Sequence, residues 1–403
     1  MTQRVIIVGA GQAGCQVAIS LRQGKYDGEI LLLGKEPWTP YQRPPLSKQV
    51  LKDGWTLEKC QLRSLSFFES NNIEIRTGCR VESIDDSNQR VLPENGEPLD
   101  YDHLVICTGS RLNRIQLTDK NLAGTHYLRT FDDALAIRDS LTHDTRLAII
   151  GAGYIGLEVA ASARSLGCRV DVIEAQDQIM KRSALPPIAE VLETRHRNEG
   201  VNIHLGRQVT EIHGAKHLEA ISLDDGTRIN SDVLLTGIGV RPDLRWLANS
   251  GIKVNRGVVV DRQCRTNIKN VFAAGDCAES NHPAFPEPVV LESVQNAVDQ
   301  GKVAASNILG NNIEYSQTPW FWSEQFDLRF QMAGLPQPGD EMVLRNTNPG
   351  TVSVLSLGRN QLNAIQCLNN PMDFMCGRKL IAIGESVDMD RLRDPDTGLK
   401  QLL

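Results

Sequence analysis

Two stretches of the chain repeat one another. Residues 4–21, RVIIVGAGQAGCQVAISL, and residues 146–167, RLAIIGAGYIGLEVAASARSLG, each carry an apolar, β-rich run into the pattern G-x-G-x-x-G and on into an alanine-rich, apolar-periodic segment. The first glycine (Gly9, Gly151) permits a tight turn, the second (Gly11, Gly153) lets a pyrophosphate approach the backbone, and the third (Gly14, Gly156) lets helix pack on strand. The helix that follows offers unpaired amides and a positive end to an anion. Two copies predict two βαβ modules and an α/β fold with two Rossmann-like, dinucleotide-binding domains.

The strand ends around these turns extend the pattern. After the second copy, CRVDVIE ends at Glu174, at the spacing where a carboxylate accepts hydrogen bonds from a ribose 2'-hydroxyl. After the first copy, GEILLLGKE ends in Gly34, Lys35 and Glu36. In NVFAAGDCAE, residues 270–279, Asp276 follows a strand and Gly275, the position where doubly wound folds bind ligands, although a glycine turn with an aspartate helix cap uses the same letters. LVICTGS (104–110, with Thr108 and Gly109) and DVLLTGIGVRPD (232–243, with Gly239) both run from an apolar strand into Thr-Gly and look like crossings between modules. They predict a discontinuous first domain, 1–110 and 241–318, with a second domain, 111–240, inserted. From 319 to 403 the texture changes to a third, α+β domain: aromatic-rich TPWFWSEQFDLRFQMAG, an antiparallel hairpin in TVSVLSLGRNQLNAIQCLN, and a last helical stretch, KLIAIGESVDMDRLRD.

Composition excludes more than it assigns. With 403 residues the chain is long enough for two or three cores, and 43 basic against 49 acidic residues, net −6, argue against broad capture of nucleic acid. Met1 leads straight into a strand-like run, with no leader pattern and no apolar run approaching the ~20 residues of a membrane helix, so the expectation is a soluble, cytoplasmic protein. Nine cysteines without a C-x-x-C read as reduced, mostly buried thiols. There is no H-E-x-x-H, G-x-S-x-G or iron–sulfur spacing, and His213 and His217 are separated by Gly214 in a turn-like HGAKH, so no metal site is expected.

One loop stands out: PWTPYQRPPLSKQV, residues 37–50, has four prolines in nine residues, with Arg43 and Lys48 flanking Pro44-Pro45. Proline fixes φ and donates no backbone hydrogen bond, so the run reads as a rigid, extended connection that holds something in place.

Taken together, PYQRPPLSK, HYLRTFDDA (126–134), VFAAGDCA, ESVQNAVDQGKVAA and PWFWSEQFD, in this order and spacing, resemble the flavoprotein ferredoxin reductases of oxygenase electron-transfer systems. This is the group of the biphenyl dioxygenase ferredoxin reductase, putidaredoxin reductase and rubredoxin reductase, with apoptosis-inducing factor more distant. The resemblance spans essentially the whole chain and implies a glutathione-reductase-like fold, FAD in the first module and NADH in the second. It carries FAD contacts onto Gly11, Ala13, Gly14, Lys48, Val81, Arg129, Asp276 and Val294, with Arg43 supporting the nearby wall, and NAD contacts onto Gly151 to Glu174, with Tyr154 and Ile155 among them. Where the family shows an acid for the FAD ribose this chain has Lys35, so Glu36 is the residue expected to take that contact. Lys48 is expected over the flavin, Glu158 near the nicotinamide and paired with Lys48 before NADH arrives, and Trp320 beside the flavin; helix carboxylates and aromatic clusters such as Trp320, Phe321 and Trp322 are otherwise ordinary core features.

The implied partner is a small acidic 2Fe-2S ferredoxin, Rieske-type ferredoxins included, feeding a terminal oxygenase such as a ring-hydroxylating dioxygenase. Its docking surface should be locally basic, with Arg329, Arg378 and Lys379 as contributors or as ordinary scattered cations. Glu174 followed by Ala175 and Gln176 favours NADH over NADPH, against which Lys181 and Arg182 stand as nearby cations. Two alternatives remain open: a disulfide reductase or NADH oxidase on the same scaffold, which needs a flavin-side cysteine where Cys15 and Cys60 do not fall, and a flavoprotein that senses NADH without turnover.

Overall fold

The computed structural model describes residues 3–118, 122–285, 287–345, 350–384 and 387–403. They divide into two compact units, Met1–Gln42 with Thr56–Arg111 and Val240–Gln317, and Arg43–Trp55 with Leu112–Gly239 and Thr318–Leu403.

In the first unit a five-stranded parallel sheet runs in the order Val271–Ala273, His103–Ile106, Arg4–Val8, Glu29–Leu33, Ile73–Arg76. Alternate residues point to opposite faces, and both faces are covered, which is why the inner strands are apolar past their first residue while the edge strand Ile73–Arg76 alternates with exposed Glu74 and Arg76. Val5, Ile7, Ile30, Leu32 and Val105 pack under the helices Gln12–Gln23 and Val294–Ile308. Ile6, Val8, Leu31, Leu33, Leu104 and Ile106 face a core that includes Val81, Ile84 and Val91 of the small antiparallel sheet Val81–Asp85, Arg90–Pro93, Leu99–Asp100.

The second unit repeats this plan. Its parallel sheet runs Val201–Leu205, Arg169–Glu174, Arg146–Ile150, Val233–Thr236, Thr125–Tyr127, and one face packs on the antiparallel meander Val209–His213, Ala220–Leu223, Arg228–Asn230 through Ala148, Ile173, Ile212, Ile221 and Leu234. The same unit contains a five-stranded antiparallel sheet in the order Trp320–Gln325, Leu328–Gly334, Leu362–Leu368, Val352–Leu357, Glu341–Arg345. Val352–Leu357 and Leu362–Leu368 form the expected hairpin. The following helix begins at Pro371, well before the stretch expected from sequence, because Asn370 caps it by accepting from the Asp373 amide and proline suits a first helical turn; it ends at Ile383, before Gly384 at φ +79°. A separate short helix follows at Met389–Arg393. Buried Gln366 accepts from the Leu185 amide at 2.8 Å and donates to the Ser183 carbonyl at 2.8 Å, so its amide is satisfied within the unit.

The proline-rich loop departs from the extended form expected. Pro44–Ser47 is a 3₁₀ turn with its prolines at the first helical positions, where no backbone donor is needed, and Gln49–Lys52 forms a helical turn directly after it. No helix among the described residues is long and apolar enough to cross a membrane.

Candidate functional site

The two glycine turns have the same geometry. Gly9 and Gly151 take φ of +115° and +101°, which only glycine adopts without strain, and a Cβ on either would strike a backbone carbonyl, at 2.1 Å from Cys107 and 2.5 Å from Gly237. A Cβ on Gly14 would stand 1.9 Å from the Gly9 oxygen, and one on Gly156 2.1 Å from the Gly151 oxygen. Gly11 and Gly153, by contrast, have nothing within 4 Å of that position. Those two are also the N-cap residues of Gln12–Gln23 and Tyr154–Ser165, so neither helix has a capping side chain over its leading amides. An open flank and uncapped amides fit a pyrophosphate at both turns.

In the first unit, Ala13 is buried in the first helical turn, Val81 opens its strand, and Val294 opens the helix that Ser293 caps. Asp276 follows Gly275 just past the strand Val271–Ala273 and accepts from Ser110 at 3.4 Å. Thr108 and Gly109 follow the neighbouring strand His103–Ile106. Lys35 is exposed, and half-buried Glu36 accepts from the Tyr41 hydroxyl in the proline-rich stretch. In the second unit, Glu174 closes its strand with both oxygens engaged: the Ala152 amide, inside the glycine turn, donates to one at 2.7 Å and the Gln176 amide to the other at 2.9 Å. Ile155 is 43% exposed beside that turn. Lys181 pairs with Asp177, and the Arg182 guanidinium lies 3.3 Å from where a side chain on Gly239 would begin. Arg43 donates to the carbonyl of Arg129, and the Arg129 and Thr130 amides both donate to Asp133 in the capping box of Phe131–Ser140.

The buried centre of the second unit is an ion pair. Lys48 Nζ lies 2.6 Å from Glu158 Oε2, with Lys48 8% and Glu158 4% exposed. Ser47 donates to the same oxygen at 2.5 Å and Ser323 to Oε1 at 2.8 Å. Ser162, one turn along the helix from Glu158, donates to the Ser47 carbonyl at 2.7 Å, so the turn after the prolines is held to this helix at two points. Burial pushes the Tyr154 phenol up to about 12, and the Glu158 carboxylate adds to this. Tyr154 packs on Phe321 and Phe330 and donates to the Met332 sulfur.

Trp320 is half-buried, edge-on to Phe374 at 5.9 Å and tilted on Trp322 at 5.6 Å between ring centres. The Arg378 guanidinium lies over its ring at 5.8 Å, and Arg329 stands 3.9 Å from Glu324. His213 is paired with Ser222 at 2.7 Å, and no cluster of three or more His, Cys, Asp or Glu able to hold a metal occurs among the described residues.

Sequence reasoning brought together Lys48 and Glu158 but missed Ser47, Ser323, Gln325 and His196. The signal available was parity: Phe321, Ser323 and Gln325 share one face of Trp320–Gln325, and polar residues alternating with an aromatic one on a strand mark a buried hydrogen-bonding face once its cover is known.

The family described as pyridine nucleotide-disulphide oxidoreductase matches residues 3–301, and the family described as reductase C-terminal matches residues 320–403. Rhodocoxin reductase of Rhodococcus erythropolis is 38% identical over 98% of this chain and 93% of its own. The ferredoxin--NAD(+) reductase component of the anthranilate 1,2-dioxygenase system of Burkholderia cepacia is 37% identical over 99% of this chain and 98% of its own. Among solved structures, the covalent putidaredoxin reductase–putidaredoxin complex aligns with a TM-score of 0.96 and 33% identity, covering 99% of this chain and 98% of that one.

Proposed function

Because the chain belongs to the pyridine nucleotide-disulphide oxidoreductase family, we propose that it is an NADH-dependent FAD flavoprotein, a ferredoxin--NAD(+) reductase. It takes a hydride from NADH and passes electrons singly to a 2Fe-2S ferredoxin, Rieske-type ferredoxins included, that supplies a multicomponent oxygenase. The observation that carries this reading is the pair of glycine turns open at Gly11 and Gly153, which lets one chain hold two dinucleotides. Bound at the first turn, FAD links a donor that gives two electrons together to an acceptor that takes them one at a time.

Gly9, Gly11, Ala13, Gly14, Val81, Thr108, Gly109, Asp276 and Val294 would hold FAD, with Glu36 at its ribose and Arg43, Lys48 and Arg129 as further contacts. Gly151, Gly153, Tyr154, Ile155, Gly156 and Gly239 would receive NADH, with Glu174 at its ribose. Lys48 offers a fixed cation, and Glu158 sits two residues beyond Gly156 on the helix that receives NADH. Trp320, under Arg378, is the residue proposed beside the flavin, and Arg329, Arg378 and Lys379 are proposed for the ferredoxin's docking surface. The matching domain division is 1–110 with 241–318 for FAD, 111–240 for NAD and 319–403 at the end.

The proline-rich stretch 37–50 holds no cysteine where a disulfide reductase on this scaffold would need one, and the thiols that are present favour the ferredoxin reading. All nine cysteines are free, and burial raises every one of them, Cys15 to about 12 and Cys60 likewise upward, whereas a disulfide reductase needs a readily formed thiolate. Nine free thiols also suit the reducing cytoplasm proposed as the site of action. Steady-state NADH oxidation with a panel of 2Fe-2S ferredoxins, read through cytochrome c, tests the proposal. Cytochrome c reduction should require an added ferredoxin; turnover with a disulfide in place of the ferredoxin would reverse the reading.

A further inference from the structure

A line of buried side chains runs behind Glu158, away from Lys48. Ser323 Oγ donates to Glu158 Oε1 at 2.8 Å, Gln325 Nε2 to Ser323 Oγ at 3.1 Å, and His196 Nε2 is paired with Gln325 Oε1 at 2.9 Å. Their exposures are 0% for Ser323, 1% for Gln325 and 0% for His196. The direction of every bond follows from the end of the line. An ionised carboxylate only accepts, so the Ser323 proton is committed to Glu158 and its oxygen must accept from the Gln325 amide; the Gln325 oxygen then faces His196, which must donate from Nε2. The second Gln325 hydrogen meets the Met180 sulfur at 3.8 Å. A serine free to turn its proton elsewhere would not fix a carboxylate; this one is not free.

Two elements distant in sequence thus meet on one carboxylate, the strand Trp320–Gln325 and the turn Pro44–Ser47 with Lys48, and a third, the helix Pro186–Asn198, backs the strand through His196. We infer that Ser323 and Gln325, backed by His196, are positioning residues that hold Glu158 at the angle and depth its part in hydride transfer requires. Lys48 and Ser47 grip one carboxylate oxygen from the side of the proline-rich loop, and the serine–glutamine–histidine line grips the other. Glu158 is the group that acts; the line acts through it. A buried hydrogen bond network of this kind sets geometry as much as stability, because its members have single directions and are closed off from bulk solvent. The inference rests on the reading of Glu158 as a group of the NADH-dependent reaction.

The test uses the FAD-loaded protein and follows flavin reduction by NADH in a stopped-flow instrument. Ser323→Ala should lower the limiting rate about tenfold while the apparent dissociation constant for NADH changes less than about twofold, the split expected when a group matters in the transition state and not in binding. Ser323→Thr, which restores the hydroxyl, should recover the rate to within about threefold of the parent, a rescue that packing alone does not explain. Gln325→Met keeps the volume of the side chain, removes the amide donor, and should fall between the two, so the inference stays open to refutation even where Ser323→Ala folds poorly. A parent holoprotein whose flavin NADH does not reduce removes the premise about Glu158. A parent that is reduced, with Ser323→Ala and Gln325→Met equally fast, overturns the inference alone, as does a Ser323→Thr protein no faster than Ser323→Ala.

Discussion

The helices behind the two glycine turns start alike and end up different. Gln12–Gln23 buries only Gly14 and the side chains of alanines, Cys15, Val17, Ile19 and Leu21, whereas Tyr154–Ser165 buries Glu158 and Ser162 along with its leucine, valine and alanines. The position two residues past the third glycine shows the divergence most sharply. In the first helix it is Gln16, half-buried and bonded to Ser20 at 2.9 Å on its own helix; in the second it is Glu158, buried and bound by groups from two other elements. The same turn geometry thus serves both modules, and they differ in the side chain two residues past the third glycine and in what is brought to meet it.

The sharpest way to break this comparison is at the shared geometry itself. Gly14→Ala and Gly156→Ala force equivalent backbone clashes, each of roughly 1–3 kcal/mol or more, yet Gly14→Ala should yield protein without its visible flavin absorbance and Gly156→Ala protein that keeps the flavin but is not reduced by NADH. Retention of flavin in Gly14→Ala would show that the first turn does not hold it. Next in size, Glu158→Gln makes the second helix match the first at the divergent position, and flavin reduction should slow about a hundredfold, with FAD content unchanged; an unaltered rate would remove Glu158 from the reaction.

The polar core of the second unit should also register as acid sensitivity. Burial, with the Arg195 cation adding to it, lowers His196 to about 4, below its ordinary 6.5. The unfolded chain therefore binds this proton first, so the stabilisation is complete above pH 6.5 and is lost as pH falls towards 4, at most about 3 kcal/mol. Urea midpoints at pH 7 and 4.5 should differ less in His196→Phe than in the parent. Smaller still, Glu174→Lys copies the Lys35 character of the first strand end, and kcat/KM for NADH relative to NADPH should fall about tenfold. Gln16→Glu, which copies the second helix into the first, should change stability by no more than about 1 kcal/mol, since this half-buried side chain bonds only Ser20 of its own helix and meets no cation like Lys48.

These differences also mark what the letters of the chain disclose. The turns, the strands feeding them and Glu174 are legible because each rests on neighbours in sequence: Gly14 must clear Gly9, and Glu174 reaches Ala152 through the standard length of one βαβ unit. Glu158 and Lys48 became visible through likeness to a family. Ser323, Gln325 and His196 stay hidden because a serine or glutamine on a strand is unremarkable until the opposing surface is known, and here that surface is two helices, each more than a hundred residues earlier in the chain. The 3₁₀ turn at Pro44–Ser47 is not legible in the prolines, because proline allows both extended and 3₁₀ forms and the choice falls to the contacts of Ser47.

The excursion of residues 43–55 out of one unit and into the other has a bearing on heredity. A recombinant that imported only residues 112–239 and 318–403 from a cousin would inherit the carboxylate with a foreign lysine, and one that imported the short stretch alone would make the opposite error. Shuffling between such genes at residues 112, 239 and 318 would split a matched set.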